Sequence, residues 1–547
     1  MTTGDLRQRI HSAAERFGWT ELRPGLLEAV EAVLEGRDVV GVLPTGYGKS
    51  SVYKVAGALL PGPTVVVSPL IALQSDQVAG IEDRDSAPGA AAVNSSQSAS
   101  RNEEAWTRIA EGDAEYLFLS PEQLANEEVL ERLRPLEVSL VAVDEAHCVS
   151  AWGHDFRPDY LRLGTAIEAL GRPRVLALTA TGSAPVREEI VDRLGLRDPL
   201  VITRGFDRPN IRLEVVRHQE ERQKHEAVLE QVRSLPRPGL LYVATRKDAE
   251  EYAAELEELG LRAAAYHGGL GAKARRELHE QFRDDAFDVV VATSAFGMGI
   301  DKGNIRFVVH AAITESVDSY YQEVGRCGRD GEPAVATLHY RAEDLGLRSF
   351  FAAGSPNRGK VAAVIETLRT AKGPLDAKQL AKRLGTKPRR TTEFTNLLVE
   401  AGVAREGKRG TRLVARIDPE DAVTRALEAA EQRQRIDESR IAMVRHYAET
   451  SSCRRQFLLG YFGEELDEPC GNCDTCSSGA AQEQQEARDE SADAPYPVDA
   501  SVRHREWGDG TVMSVEEDRI TVFFDSEGYR VLSLAAIEDN DLLELVG

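Results

Sequence analysis

Val138-Ser139-Leu140-Val141-Ala142-Val143-Asp144-Glu145-Ala146-His147-Cys148-Val149-Ser150-Ala151-Trp152-Gly153-His154-Asp155-Phe156-Arg157 decides how the rest of the chain is read. An apolar run of strand character ends in two carboxylates at a loop, and a flat, partly cationic stretch follows at once. Such an ending can hold Mg²⁺ beside a triphosphate, with Asp144 facing the metal's water shell and Glu145 left to polarise an attacking water. Trp152, His154, Phe156 and Arg157 offer ring faces and one cation, the means by which the bases of a single strand are gripped by stacking. The polar Gly153, His154, Asp155 and Arg157 among the aromatics argue for an exposed loop over core. Hydrolysis and strand contact are therefore expected to share one loop.

Working outward, short β-rich apolar runs alternate with helical patterns from about residue 15 to 340, the signature of parallel α/β sheets. Asp38 to Leu43 reads as a strand, and Pro44-Thr45-Gly46-Tyr47-Gly48-Lys49-Ser50 as a turn opening a helix. Its glycines, Gly46 and Gly48, let backbone amides approach phosphate. Lys49 supplies charge to the β- and γ-phosphates, and Ser50 can join Asp144 in ligating Mg²⁺. Leu43 stands where the general phosphate-loop pattern has its first Gly. Further on, Gln322-Glu323-Val324-Gly325-Arg326-Cys327-Gly328-Arg329 carries two arginines three apart. Presented across a cleft, they can neutralise charge developing on a γ-phosphate, with Arg329 as the finger and Arg326 beside it.

These stretches, in this order, resemble the motifs of RecQ-family superfamily 2 DNA helicases. Asp144 to Arg157 is similar to that family's Walker B motif and aromatic-rich loop, which couples DNA binding to ATP turnover. Val65 to Leu73 and Tyr116 to Leu124 look like motifs Ia and Ib, which hold the DNA backbone, and Leu176 to Thr181 looks like motif III. Phe206 to Asn210 resembles the linker between motor domains, Leu240 to Lys247 motif IV, Ala292 to Asp301 motif V and Gln322 to Gly331 motif VI. Phe17 to Gly25 resembles motif 0, in which Trp19 and Arg23 would help hold the nucleotide, together with Thr45 of the phosphate loop. Leu26 stands where the family's adenine-reading Gln is expected. Leucine cannot make an amide's paired hydrogen bonds, so weakened adenine selectivity is expected.

The chain has 547 residues, enough for three to five domains of about 100 to 200 residues each. Hydrophobic content of 42% and charged content of 29% are those of globular proteins. No apolar run reaches the roughly 20 residues that cross a bilayer, and no secretory signal is visible, so a cytoplasmic, nucleoid-associated protein without membrane contact is expected. A formal charge of −23 argues against indiscriminate polyanion binding and leaves DNA contact to local basic patches.

Cys453, Cys470, Cys473 and Cys476 form C-x16-C-x2-C-x2-C, four thiolates that can close a tetrahedral, structural Zn²⁺ site. Their context resembles the RecQ zinc-binding subdomain, expected over 418–479. Cys148 and Cys327 lie within motor motifs and read as packing residues. Residues 356–417 read as a winged helix: Lys360 to Ala371, Asp376 to Leu384 after the break at Gly373-Pro374, Pro388 to Ala401, then a hairpin carrying Arg405, Lys408, Arg409 and Arg412. Lys387, Arg389 and Arg390 begin its third helix, where cations meet phosphate or base edges. RecQ proteins generally place this module after the zinc site. Residues 480–500 read as a flexible acidic linker, and 501–547 as a small β-barrel similar to the Tudor-like barrels that end UvrD-type helicases. Such barrels dock proteins, which makes RNA polymerase or a repair factor a candidate partner. No segment resembles the helicase-and-RNase-D domain of many RecQ proteins.

The expected architecture is α/β: two RecA-like parallel-sheet motor domains, 1–205 and 206–345, followed by the winged-helix, zinc and barrel modules. The resemblance implies an ATP- and Mg²⁺-dependent helicase moving 3′ to 5′ on single-stranded DNA and unwinding duplex or forked DNA in replication, recombination and repair. The alternatives are a DNA-stimulated translocase or annealing factor that unwinds weakly, and a winged-helix DNA-binding regulator with a vestigial ATPase.

Overall fold

The structure, a computed structural model, describes residues 3–69, 71–84, 86–94, 96–150, 157–296, 302–346, 356–407, 410–414, 417–490, 495–497, 500–516, 518–524 and 527–546. Two compact units divide the chain, one of residues 1–345 with 443–495, the other of 346–442 with 496–547.

The first unit holds two parallel sheets. β1 (Val39–Val42), β2 (Thr64–Val67), β3 (Ala90–Ala92), β4 (Tyr116–Leu119), β5 (Leu140–Val143), β6 (Arg174–Thr179) and β7 (Leu200–Thr203) are ordered β3-β4-β2-β5-β6-β1-β7. β8 (Ile211–Arg217), β9 (Gly239–Tyr242), β10 (Ala263–Tyr266), β11 (Val289–Ala292), β12 (Phe307–His310) and β13 (Ala334–Tyr340) are ordered β10-β11-β9-β12-β13-β8. Helices cover both faces of such sheets, so runs such as Val65-Val66-Val67 and Leu140-Val141-Ala142-Val143 are apolar throughout and wholly buried. Parallel strands send their carboxyl ends to one edge, where ligands bind. β5, β6 and β1 are neighbours, so the loops after Val143, Thr179 and Val42 converge.

The zinc module closes this unit. Cys453 caps the helix Arg454–Phe462 and Cys473 caps the helix Asp474–Ser478. Arg454 pairs with Asp474 at 3.0 Å, and Cys473 bridges to Leu213 on β8, which docks the module on the second sheet's edge. Residues 480–490, expected to be flexible, form the helix Ala480–Glu490. Ala, Gln and Glu are strong helix formers, and left-handed Gly479 separates this helix from the preceding one.

In the second unit, helices Arg358–Thr370, Ala377–Leu384 and Pro388–Glu400 are followed by an antiparallel hairpin of β14 (Ala404–Gly407) and β15 (Gly410–Leu413). Leu375 bridges to Thr411 as a one-residue third strand, giving the winged-helix order. Asn357 and Asp376 cap the first two helices with side-chain acceptors, and Gly385 ends the second in left-handed conformation. The helix Pro419–Glu449 follows, and its early residues Ala422, Val423 and Ala426 pack into the winged-helix core with Val361, Ile365 and Leu398. The two units thus divide inside this helix, after Ala442, whereas the sequence places a module boundary before it. The last module is a five-stranded antiparallel sheet of β16 (Ser501–His504), β17 (Gly508–Val515), β18 (Arg519–Phe524), β19 (Gly528–Ser533) and β20 (Leu543–Leu545), in the order β19-β18-β17-β16-β20. A bulge between Val512 and Ser514 bends it around Val502, Ile520, Val522 and Phe524.

Candidate active site

The phosphate loop leaves β1 and enters the helix Ser50–Gly57, with Gly46 at φ 79° and Gly48 at φ 104°. Those left-handed angles turn successive amides inward, forming an anion cradle ahead of a helix N-terminus. Lys49 Nζ donates to its own loop, to Leu43 O at 2.9 Å and Pro44 O at 3.4 Å. Burial pulls its pKa down, while Glu145 and Asp144 pull it up. At the end of β5, Asp144 accepts from the Glu145 amide at 3.0 Å, and Glu145 takes left-handed φ of 50°. The dry surroundings and the adjacent Glu145 carboxylate push Asp144 up to about 7, with Lys49 opposing. Two carboxylates this close, facing a phosphate loop with Ser50 at its mouth, form a hard-oxygen donor set that fits Mg²⁺.

His147 Nδ1 lies 2.9 Å from Thr179 Oγ1, which donates to Thr181 O at 2.7 Å, and His147 also lies 3.4 Å from Glu145. The stretch at the end of β6 thus touches the hydrolytic loop through one imidazole. Arg157 donates to Pro69 O at 3.2 Å, tying the end of the aromatic stretch to the loop after β2. Trp152, His154 and Phe156 lie outside the described residues.

Arg329 approaches from the second sheet. Its Cγ, Cδ and Nε lie 3.7–3.9 Å from where a side chain on Gly46 would begin. Arg326 is buried and bonds Tyr242, whose phenol is held protonated by burial, and Gln322 is half-buried on the helix Val317–Val324. The adjacent Glu323 is buried and meets His310 Nε2 at 2.7 Å.

Beside the phosphate loop, Trp19 stacks on Phe17 at 5.5 Å, and Arg23 lies 5.3 Å over the Tyr47 ring, reaching Gly46 O at 3.4 Å. Leu26 does not line an open pocket with them. It is buried, its Cδ1 3.4 Å from the position of a Cβ on Gly48, so it props the phosphate loop from below. Sequence reasoning missed Tyr47, which donates to Pro24 O at 3.0 Å and so sets a ring between the phosphate loop and the Arg23 segment. The only signal for it is an aromatic at a variable position of a glycine-rich loop.

The sulfur atoms of Cys453, Cys470, Cys473 and Cys476 all lie within 4.8 Å of one another, with Cys470 and Cys476 at 4.0 Å. Zn–S bonds of about 2.3 Å give tetrahedral edges of roughly 3.8 Å, so the cluster fits zinc. Cys470 N donates to Cys453 Sγ at 3.3 Å and Asn472 N to Cys470 Sγ at 3.4 Å, bonds that stabilise thiolates. Cys148 and Cys327 are buried packing residues. In the winged helix Lys387 and Arg390 are exposed, while the Arg389 side chain and Arg409 lie outside the described residues. Exposed Arg405 and Arg412 face each other across the hairpin.

A phosphate loop on one parallel-sheet lobe, met by an arginine from a second, is the build of a two-lobed nucleoside-triphosphate motor. Residues 24–189 match the family described as DEAD/DEAH box helicase, 223–331 the helicase conserved C-terminal domain, 411–477 the RecQ zinc-binding family and 500–540 a "Protein of unknown function (DUF3553)". The chain is 35% identical over 465 residues to the probable ATP-dependent DNA helicase RecS of Bacillus subtilis (strain 168), covering 84% of this chain and 90% of that one. It is 32% identical over 495 residues to the ATP-dependent DNA helicase RecQ of the same organism, covering 90% and 70%. In fold it is similar to the DUF1998 helicase MrfA bound to DNA, with TM-score 0.52 at 17% identity over 76% of this chain and 63% of that one. The chain belongs to the RecQ family of ATP-dependent DNA helicases. No described helix is long and apolar enough to cross a membrane.

Proposed function

We propose that this helicase moves 3′ to 5′ on single-stranded DNA, opening duplex or forked DNA, with one ATP site built from both lobes. Lys49 and the amides of Gly46 and Gly48 hold the phosphates, Ser50 and Asp144 hold Mg²⁺, Glu145 orients the attacking water, and Arg329 with Arg326 takes up the charge of the transferring phosphoryl. Held there, Mg²⁺ would supply positive charge to the phosphate oxygens. The carrying observation is the packing of Arg329 against Gly46, opposite Lys49 and the two carboxylates. Trp152, His154, Phe156 and Arg157 serve as the strand contact that reports DNA to this site. Zn²⁺ on the four cysteines is structural, because four protein sulfurs leave no open position. The C-terminal sheet is a docking module for a protein of the transcription or repair machinery.

Lys49→Ala removes phosphate charge and Glu145→Gln the water-orienting carboxylate. Each is expected to lower ATP turnover by about 100-fold or more, with single-strand binding largely kept. Near-native, DNA-stimulated hydrolysis in either variant would overturn the site assignment.

A further inference from the structure

The segment between the two lobes, residues 204–210, is held at three places. Gly205, at φ +84°, packs so closely on the phosphate loop that a Cβ there would lie 2.4 Å from the Tyr47 ring. Arg208 Nη2 donates to Cys327 O at 3.0 Å and Gly328 O at 2.8 Å, and Asn210 Nδ2 donates to Gly328 O at 2.8 Å. Those carbonyls belong to the turn between Arg326 and Arg329, so the segment carries the arginine turn on one side and touches the phosphate loop on the other.

The third hold comes from the zinc module. Glu464, just past the helix Arg454–Phe462, accepts from the Phe206 amide at 3.0 Å, and the amides of Gly205 and Asp207 turn to the same carboxylate. Phe462 stacks on Phe206 at 4.5 Å, and Arg455 reaches Ile211 O at 2.7 Å and Asp207 at 3.4 Å. Asn472, between two of the cysteines, donates to Pro209 O at 2.9 Å. The same helix end also grips both lobes: Arg187 of the first donates to Phe462 O at 3.0 Å, and Tyr461 donates to Asp318 of the second at 2.5 Å. An anion accepting several backbone amides fixes that backbone far more firmly than a neutral contact does.

We propose that Glu464 is a positioning residue for ATP hydrolysis: by clamping residues 205–207 it sets where Arg208 and Asn210 hold the arginine turn, and so whether Arg329 reaches the phosphate. The zinc module then acts on catalysis as well as on folding. This rests on the assignment of Arg329 to the transferring phosphate.

The test compares Glu464→Ala, Glu464→Gln, Arg329→Ala and the exposed neighbour Glu465→Ala in the full zinc-loaded chain, measuring ATP turnover with and without single-stranded DNA, zinc content and thermal unfolding. Glu464→Ala is expected to keep its zinc and its KM for ATP within about twofold while DNA-stimulated kcat falls about tenfold or more, as displacement of a catalytic group does. Glu464→Gln is expected to recover part of the loss, since its carboxamide oxygen still accepts from one or two of the amides. Glu465→Ala should match the native chain. A stimulated kcat within about twofold of native for Glu464→Ala, while Arg329→Ala abolishes turnover, overturns the positioning role. So does a loss that tracks zinc and melting temperature and is not relieved by Gln. Retained turnover in Arg329→Ala brings down the arginine assignment instead. Should the alanine variant not fold, the split between KM and kcat in Glu464→Gln decides in the same way.

Discussion

Leu26 shows how one side chain changes what a nucleotide site can distinguish. Its methyl groups support Gly48 from below, so the phosphate loop keeps its shape, but no amide is offered at that position. What remains beside the phosphate loop is the Trp19 ring and the Arg23 guanidinium, groups that accept any purine. A site that hydrogen-bonds a ligand edge rejects an analogue by several orders of magnitude, whereas a stacking site discriminates weakly. GTP is therefore expected to be hydrolysed with kcat/KM within about tenfold of ATP, and Leu26→Gln to widen the gap in favour of ATP. Strong ATP preference in the native protein, unmoved by Leu26→Gln, would place adenine reading elsewhere. The missing glutamine is legible in the sequence. The ring of Tyr47 swinging over to Pro24 O is not, because the loop pattern accepts any residue there.

At the scale of elements, β13, the helix Glu221–Ser234 and His218 just after β8 share a polar chain that needs neutral imidazoles. Gln231 Nε2 donates to Thr337 Oγ1 at 2.8 Å, which turns its Oε1 to accept from His339 Nε2 at 2.6 Å, leaving His339 Nδ1 to accept from His218 Nε2 at 2.9 Å. Burial, His218 and the Lys224 ammonium hold His339 down at about 3, and Asp344 with Glu221 oppose the same fall at His218. Above the ordinary histidine pKa of 6.5 both folded and unfolded chains are neutral at His339 and the full stability is present. As pH falls from there toward 3 only the unfolded chain takes the proton, so the second lobe loses about 2 kcal/mol by pH 5. Urea unfolding followed by a probe in that lobe should show the loss at pH 5 against pH 7, and His339→Asn should flatten it. A pH-independent midpoint would mean that His339 is charged in the fold. The strands themselves were legible because doubly covered parallel strands are apolar along their whole length, and the motif loops because they follow those strands. The clamp of Glu464 on Phe206 was not, since it joins positions far apart in the chain and leaves no local pattern. The helix Ala480–Glu490 was hidden by its charge, which reads as a linker although its residues favour helix.

For the whole molecule, a net charge of −23 means that DNA affinity must come from a few sites where cations are gathered. The winged-helix hairpin gathers two such cations. Its register sets Arg405 directly opposite Arg412, both exposed, and like charges in that relation repel unless an anion lies between them. Lys387 and Arg390 at the start of the third helix are exposed as well. Each phosphate contact releases counterions, and its loss lowers the slope of log affinity against log salt by about 0.9 on duplex DNA. Replacing Arg405 and Arg412 together by Ala is therefore expected to reduce that slope by about 1.8 and to weaken duplex binding without regard to sequence. Basal ATP turnover should not change, because neither arginine belongs to the unit that holds the phosphate loop. Fluorescence anisotropy on a forked duplex across a salt series reads the slope directly. An unchanged slope would make the hairpin arginines solvated surface charge and leave the motor unit to carry the DNA alone.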